Sequence, residues 1–206
     1  MIENYKTAFV AFGGNINSPY GEPRVTISAA LEMLESTLIT ILKISSFYTT
    51  PAIPEGSGPN FVNAVAKIST KLNAYELLDK FHMIENAFDR KRVKRWSPRS
   101  IDIDLLTLED QVFPCTVEFL RWATLNIHQQ VSNTPKSLVL PHPRLHHRAF
   151  DWNIFPLALY KIRVNLQFSD YCRAGIQKVH HYLLLLRLAW QNVQHLDQKT
   201  LYLLSA

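Results

Sequence analysis

The sequence predicts an α+β fold, a ferredoxin-like sandwich in which helices pack on one face of an antiparallel sheet. The prediction rests on the order of the elements, which is strand, helix, strand, strand, helix, strand. Two strands meet in the middle of this order and each half brings one helix, as in a split βαβ unit. At 206 residues, of which 47% are hydrophobic, the chain is large and apolar enough for a packed core.

The first half supplies a strand, a helix and a second strand. Residues 7–12 are a β-favouring apolar run that stops at the turn 13–15, which holds two glycines and an asparagine. Residues 24–38 repeat apolar side chains at near-helical spacing, and Pro23 suits the first turn of that helix. Strand character returns over residues 39–48.

The middle of the chain combines a long loop with a strand and a helix. Residues 51–59 contain three prolines and two glycines, as expected for a long loop of the kind that often covers a binding site. A strand is predicted over residues 61–70. Asn73 suits a helix N-cap, and the apolar residues between Tyr75 and Phe88 follow the helical period.

The remaining third is less regular. Residues 101–108 are predicted as a strand, residues 113–137 as a poorly patterned insertion and residues 138–140 as a short strand, with a helix after Pro143. The leucine-rich end predicts one or two further helices. We therefore expect a main domain over residues 1–160 and a helical C-terminal extension over residues 161–206, whose role the sequence does not reveal.

Composition argues for a protein of a reducing compartment. The two cysteines, Cys115 and Cys172, form no metal or redox motif. The N-terminus lacks the basic and apolar regions of a signal peptide, and no apolar run approaches the roughly 20 residues that a membrane span needs. We expect a cytoplasmic protein.

A basic cluster followed by two carboxylates carries the strongest chemical signal. Residues 90–99 hold six of the 22 lysines and arginines, and Asp102 and Asp104 follow directly. Cationic side chains neutralise phosphate oxygens, and paired carboxylates hold the Mg²⁺ that a nucleoside triphosphate carries. The stretch therefore predicts a polyphosphate site with its own metal ligands.

The carboxylate pair lies on a predicted strand, where residues two apart point to the same face. Asp102 and Asp104 would repel each other unless a cation lay between them, and hard oxygen ligands favour Mg²⁺ or Ca²⁺ over zinc. The alternative is a solvent-facing strand with two ordinary aspartates. Metal ligation is the better hypothesis because strands disfavour aspartate and apolar residues flank the pair.

The other polar features are less specific. The basic cluster alone could be a solvated loop, but Trp96 within it has no obvious core to enter and could stack on a ring. His142 and His146 have a spacing that invites a zinc interpretation, but Pro143 interrupts them and no third ligand is evident. A histidine that contacts phosphate next to Arg148 is the better interpretation. Asn63 could equally pair with a heterocycle edge or be a structural strand residue.

Six separated motifs, in order along residues 7–160, are similar to those of one enzyme family. They are Gly13-Gly14-Asn15, Ser45-Ser46-Phe47-Tyr48-Thr49-Thr50-Pro51, Phe61-Val62-Asn63, Ile84-Glu85, Arg95-Trp96-Ser97-Pro98-Arg99-Ser100-Ile101-Asp102-Ile103-Asp104, and Pro141-His142 with Arg148 and Phe150. With these motifs the chain resembles the 6-hydroxymethyl-7,8-dihydropterin pyrophosphokinase family of folate biosynthesis.

The resemblance implies transfer of the β,γ-pyrophosphoryl unit of ATP to the pterin hydroxymethyl group, with release of AMP. It implies that Asp102 and Asp104 hold two Mg²⁺ ions and act in catalysis with the loop residues Arg90 and Arg92. The implied ATP-binding residues are Glu85, Arg95, Trp96, Arg99, His142 and Arg148. The implied pterin-binding residues are Asn15, Thr50, Pro51, Ile53, Phe61, Asn63, Trp96 and Phe150.

The implied partners are two small molecules, ATP and 6-hydroxymethyl-7,8-dihydropterin. Neither a nucleic acid nor a membrane is expected, and the sequence leaves the oligomeric state open. Three departures from the family pattern stand out. Ser97 replaces a usual glycine, Gly14 replaces a usual serine, and the basic loop is one residue shorter than in some members.

Two alternatives remain beside the active enzyme. The chain could be a catalytically altered paralogue whose tail serves a partner. It could also be a ferredoxin-like nucleic-acid-binding module, since such sandwiches use basic and aromatic residues on the sheet. The second alternative is disfavoured because such a module does not need Asp102 and Asp104 at its basic face.

Overall fold

The computed structural model describes residues 5–52, 56–90, 97–126, 129 and 132–143. The chain divides into two units, Met1–Glu109 and Asp110–Ala206. The domain boundary expected near residue 160 and the predicted helices beyond it lie outside the described residues and stay predictions.

The first unit is an α+β sandwich, as predicted. Its sheet has the order β2-β4-β1-β5, and every pairing in it is antiparallel. Strand β3 also pairs with β4, at residues 61–63, whereas β2 pairs with β4 at residues 66–70. The order along the chain is β1 (Lys6–Gly14), α1 (Pro23–Leu34), β2 (Ile39–Ile44), β3 (Tyr48–Thr50), β4 (Phe61–Thr70), α2 (Ala74–Ala87) and β5 (Asp102–Leu108).

Both helices pack against the sheet and against each other. Helix α1 contacts β1 and β4, and α2 contacts β5. Each helix contributes a buried apolar stripe, with Ile27 and Leu34 on α1 and Leu77 and Phe81 on α2 fully buried. Burying such a side chain contributes about 1.5–3 kcal/mol. The ends of β1 and β5 that carry the candidate residues are therefore held by this core.

The starts of both helices follow from their sequences. Pro23 is the first residue of α1, where its missing N–H costs no hydrogen bond, and α1 ends at Leu34, four residues before the predicted end. At the start of α2, the Asn73 side chain accepts hydrogen bonds from the N–H groups of Tyr75 (2.9 Å) and Glu76 (3.1 Å). The Glu76 carboxylate accepts from the Asn73 N–H (2.7 Å), which completes a capping box.

The single strand predicted over residues 39–48 is two strands in the structure. The prediction fails at Ser45, whose side-chain hydroxyl accepts a hydrogen bond from the Val65 N–H (2.9 Å). The Ser45 N–H donates to the Val65 carbonyl (2.9 Å), so Ser45 satisfies both backbone groups of Val65 from one position. The chain leaves the ladder here and rejoins it at β3 with a new register.

The second unit contains a helix that its sequence did not suggest. Helix α3 (Thr116–Ala123) lies within the segment predicted to be a poorly patterned insertion, and it buries Phe119, Leu120 and Ala123. The strand predicted over residues 138–140 is a single bridge between Phe113 and Leu140. None of the described helices has the length and apolar character needed to cross a membrane.

Candidate active site

Three strands bring candidate residues to one face of the sheet. Gly13 on the central strand β1 lies opposite Asn63 on β4 and opposite Asp102 on β5. Residues that face each other across an antiparallel pair point to the same side, so Asn63 and Asp102 flank Gly13 on one face. Phe61 lies two residues before Asn63 on β4, and Asp104 lies two residues after Asp102 on β5, so both share that face.

The glycine at the centre of this row leaves the face open. A Cβ on Gly13 would lie 3.0 Å from Oδ1 of Asn63 and 3.7 Å from a ring carbon of Phe61. Any larger residue would therefore press on the side chains that surround this position. The neighbouring Gly14 has a different role, because a Cβ there would lie only 2.4 Å from the Ser100 carbonyl oxygen. Gly14 allows the segment before β5 to approach β1 closely.

Two arginines hold the carboxylate of Asp102. Arg90 Nη2 donates to Asp102 Oδ1 at 2.6 Å, and Arg99 Nη1 donates to Asp102 Oδ2 at 2.9 Å. The Asp102 side chain is 21% exposed. Both oxygens of this carboxylate thus have a guanidinium partner, and hydrogen bonds between charged groups of this kind are shorter and stronger than neutral ones.

Arg90 is surrounded by carboxylates. Its side chain is 11% exposed and also forms an ion pair with Glu85. Burial lowers the pKa of Arg90, but the charges of Asp102, Glu85 and Asp104 more than offset this, and the net pKa is raised. Arg90 therefore stays charged across the range in which enzymes work.

Glu85 joins α2 to the start of β5. Its carboxylate accepts a hydrogen bond from the Ile103 N–H at 2.9 Å, and its backbone carbonyl accepts from the Arg90 N–H at 3.1 Å. The side chain is 3% exposed. The contacts described for Glu85 thus point to Arg90 and β5, and its contact with ATP stays a prediction.

Asn15 connects two loops that border the site. Its Oδ1 accepts a hydrogen bond from the Arg99 N–H at 2.8 Å, and its Nδ2 donates to the Pro59 carbonyl at 3.0 Å. The residue is 5% exposed. Asn15 therefore fixes the backbone of Arg99 relative to the loop before β4, in addition to the pterin contact predicted for it.

Four of the predicted pterin-binding residues, Thr50, Pro51, Phe61 and Asn63, lie where β3 pairs with β4. Asn63 Nδ2 donates to Thr50 Oγ1 at 3.0 Å, and Asn63 is 7% exposed. Thr50 lies opposite Phe61 in the β3–β4 ladder, and Pro51 follows directly. The Arg99 guanidinium carbon lies 5.9 Å from the centre of the Phe61 ring, so Arg99 links this group to Asp102.

The contacts described so far do not involve the remaining predicted site residues. His142 belongs to the second unit. Six further candidates lie outside the described residues, and their roles stay predictions: Ile53, Arg92, Arg95, Trp96, Arg148 and Phe150. Ser100 contributes to this region although no sequence pattern indicates a role for it. It is 5% exposed, and its hydroxyl donates to the Phe88 carbonyl at 3.0 Å, which closes the base of the basic loop.

The aspartates fit a magnesium ion that is shared with a phosphate ligand. Asp102 and Asp104 present carboxylates on one partly exposed face of β5. Mg²⁺ in phosphate sites usually takes one or two carboxylates and completes its shell with phosphate oxygens and water. Among the described residues, no group of three or more histidine, cysteine, aspartate or glutamate side chains could hold a metal alone. The two aspartates therefore suit a site in which Mg²⁺ is bound jointly by the protein and by a phosphate ligand.

A family model and several known proteins match this chain, and all of them belong to the same enzyme family. Residues 9–159 match the family model for 7,8-dihydro-6-hydroxymethylpterin-pyrophosphokinase. A 2-amino-4-hydroxy-6-hydroxymethyldihydropteridine pyrophosphokinase of Haemophilus influenzae is 31% identical over 144 residues, which cover 70% of this chain and 76% of the relative. Its namesake in Bacillus subtilis is 31% identical, with coverage of 69% and 72%. The Aquifex aeolicus protein of that name is 33% identical, with coverage of 73% and 78%.

Proposed function

The chain belongs to the 7,8-dihydro-6-hydroxymethylpterin-pyrophosphokinase family, and from this premise we propose how its site works. The protein is a transferase that moves pyrophosphate to hydroxymethyldihydropterin in folate biosynthesis. The donor that we propose is ATP complexed with Mg²⁺, and the leaving group is AMP.

The observation that carries the proposal is the row across Gly13. It places an amide suited to a heterocycle edge, Asn63, and a carboxylate suited to a metal-bound triphosphate, Asp102, on one face of three adjacent strands. A pyrophosphoryl transferase needs such an arrangement, since the acceptor hydroxyl must reach a phosphorus atom.

The phosphate side of the site supplies charge. We propose that Arg90 and Arg99 contact the oxygens of the triphosphate, and that Asp102 and Asp104 hold Mg²⁺ there. Bound Mg²⁺ would offset the negative charge that develops on the phosphate oxygens during transfer. Cations and fixed hydrogen-bond donors act strongly in a site that excludes water, because they need no reorganisation at the moment of reaction.

The transfer itself is a displacement at phosphorus. The oxygen of the pterin hydroxymethyl group forms a bond to the β-phosphorus of ATP. The bond from that phosphorus to the oxygen bridging it to the α-phosphorus breaks, AMP leaves with the bridging oxygen, and the hydroxyl proton passes to water. Positioning and charge neutralisation dominate such reactions, so the site does not require a strong general base.

The pterin side supplies position. Asn63 offers an amide on the open face beside Gly13, and Thr50 holds that amide through its hydroxyl. Phe61, two residues before Asn63, offers an aromatic ring on the same face. We propose that the ring stacks on the pterin while Asn63 pairs with the edge of the heterocycle.

Product analysis tests the proposal. The purified chain is incubated with ATP, Mg²⁺ and the hydroxymethyldihydropterin, and the products are separated and weighed by mass spectrometry. We expect equal amounts of AMP and pterin diphosphate, and neither product after chelation of Mg²⁺. ADP with a pterin monophosphate would contradict the proposed bond cleavage. Pterin binding without turnover would favour the catalytically altered paralogue.

A further inference from the structure

Asp102, the candidate metal ligand, is paired with two arginines, Arg90 and Arg99. Arg90 connects Glu85 to Asp102, with an ion pair on one side and a hydrogen bond of 2.6 Å on the other. Arg99 occupies the second oxygen of Asp102 at 2.9 Å. Both Asp102 oxygens thus have a guanidinium partner that a metal ion would have to replace or share.

A metal and a guanidinium compete for the same carboxylate. Mg²⁺ binds carboxylate oxygens at about 2.0–2.1 Å, and its charge repels a guanidinium on the same carboxylate. Metal binding at Asp102 therefore favours the withdrawal of at least one arginine. Arg90 and Arg99 differ in how they could withdraw. The Arg99 side chain is 20% exposed, whereas that of Arg90 is 11% exposed. Withdrawal into water is therefore the more restricted route for Arg90.

Glu85 offers Arg90 an alternative partner. Its carboxylate is almost fully buried, it already pairs with Arg90, and it is fixed by the Ile103 N–H at 2.9 Å. The Arg90 N–H is also anchored to the Glu85 carbonyl. A buried arginine that loses one carboxylate keeps its charge compensated if the second carboxylate remains, and this avoids the large penalty of a buried unpaired charge.

We propose that Arg90 is a displaceable counter-ion of Asp102, and that Glu85 is the positioning residue that retains Arg90 when a divalent metal takes Asp102. In the metal-free protein Arg90 bridges the two carboxylates. When the metal arrives, Arg90 gives up Asp102 and stays on Glu85. Glu85 thereby favours metal binding without touching the metal. The inference rests on the proposed function only in taking Asp102 as a metal ligand.

The test measures metal binding and not turnover. Mn²⁺ is titrated to millimolar concentration into the full chain without nucleotide or pterin, so that water fills the coordination positions that phosphate oxygens would take. Binding is followed by electron paramagnetic resonance of free Mn²⁺. Arg90→Met should tighten the dissociation constant by about tenfold, because the competitor is gone. Glu85→Gln should weaken binding by several fold, because Arg90 then depends on Asp102 alone. The glutamine oxygen can still accept from the Ile103 N–H.

A double variant separates this mechanism from a general charge effect. If Glu85 acts through Arg90, Glu85→Gln should have almost no effect on Mn²⁺ binding in the Arg90→Met background, but should keep its full effect in the Arg99→Met background. An equal effect in all backgrounds would show that Glu85 acts only by its charge and would overturn the proposal. So would an unchanged dissociation constant in Arg90→Met, or no binding to that variant at millimolar Mn²⁺.

Folding is checked by circular dichroism for every variant. Should Arg90→Met not fold, Arg90→Gln takes its place with the same expectations, since it removes the charge but can hydrogen-bond Glu85. The outcomes for the two proposals are distinguishable. If the chain shows the Mn²⁺ pattern but forms no pterin diphosphate, the result would support the counter-ion mechanism and contradict the proposed function.

Discussion

Asn63 and Asp102 lie opposite the same residue, Gly13, on the two sides of strand β1. Neighbouring strands are about 4.8 Å apart, so the backbones of these two residues are separated by two spacings, roughly 10 Å. Their side chains point to one face with only a glycine between them. Two substrates held by these residues would thus meet above Gly13.

Asn63→Ala should weaken pterin binding and leave ATP binding unchanged. The substitution removes the amide that we propose reads the heterocycle and leaves Thr50 Oγ1 without the 3.0 Å contact. We expect the KM for the pterin to rise by about tenfold or more, because the polar edge of the bound pterin would lose its partner, and a buried polar group without a partner costs about 1–3 kcal/mol. Steady-state kinetics with each substrate varied in turn provides the measurement.

The matched control for Asn63→Ala is Asn86→Ala, at an exposed position of α2. It should leave both KM values unchanged. An equal rise in the KM for ATP and for the pterin in Asn63→Ala would contradict the assignment, since it would indicate a general distortion of the sheet.

Gly14→Ala should destabilise the protein and disturb Arg99. The new Cβ would lie 2.4 Å from the Ser100 carbonyl oxygen, a backbone atom that cannot rotate away. Overpacking of this kind costs about 1–3 kcal/mol. Urea denaturation should show the loss in the free energy of unfolding, and kcat/KM should fall because the segment carrying Arg99 must shift.

Gly56→Ala is the comparison for Gly14→Ala. Gly56 has a φ of +76° and nothing within 4 Å of an added Cβ, so its cost is backbone strain of about 1–2 kcal/mol without a collision. If Gly14→Ala proved no more harmful to kcat/KM than Gly56→Ala, close approach at Gly14 would not position Arg99.

Asn73→Ala should reduce stability without touching catalysis. The substitution removes the side-chain acceptor of the N–H groups of Tyr75 and Glu76 at the start of α2. Loss of such a cap costs about 1 kcal/mol. We expect a lower midpoint in urea and an unchanged kcat for the folded protein. A fall in kcat would show that α2 transmits more than stability to the site.

The bridge made by Arg90 should not depend on pH in the working range. Burial lowers the pKa of Arg90, but the charges of the nearby carboxylates outweigh burial and raise this pKa above its ordinary value. A group with a raised folded-state pKa contributes stability below its unfolded pKa and loses it only as pH rises through the folded value. This loss lies beyond the alkaline limit of ordinary assays.

Arg90→Lys should change that behaviour. A lysine titrates near 10.4 when unperturbed, so its contribution should fall at lower pH than that of arginine. Urea unfolding between neutral and strongly alkaline pH should therefore show a larger alkaline loss of stability in Arg90→Lys than in the unmodified chain. Parallel pH profiles of the two proteins would contradict the assigned charge partners.

Much of the fold could be predicted because it is encoded locally. The capping residue Asn73, the first-turn Pro23 and the period of the apolar side chains define α1, α2, β1, β4 and β5 to within a few residues. Ser45 and α3 could not be predicted in this way. The break at Ser45 depends on a hydrogen bond to Val65, a residue distant in sequence, and α3 is too short to show a clear period.

The candidate site could be predicted in part. The spacing of Asp102 and Asp104 is enough to place both on one face of a strand. The partners of these groups could not be predicted, since the contact of Glu85 with the Ile103 N–H and that of Asn15 with the Arg99 N–H join segments far apart in the sequence. Whether a charged residue binds a ligand or another side chain depends on such tertiary contacts.

The most direct test of the central claim is the rate of AMP formation from Mg²⁺ and ATP, with and without the hydroxymethyldihydropterin. It is measured in the unmodified chain and in a folded Asp102→Ala, Asp104→Ala variant. We expect AMP only when the pterin is present. We also expect its rate of formation to fall by at least about 10²-fold in the variant, because the carboxylates that hold the metal and the triphosphate are gone. AMP formation that is independent of the pterin, or that survives the double substitution, would contradict the claim.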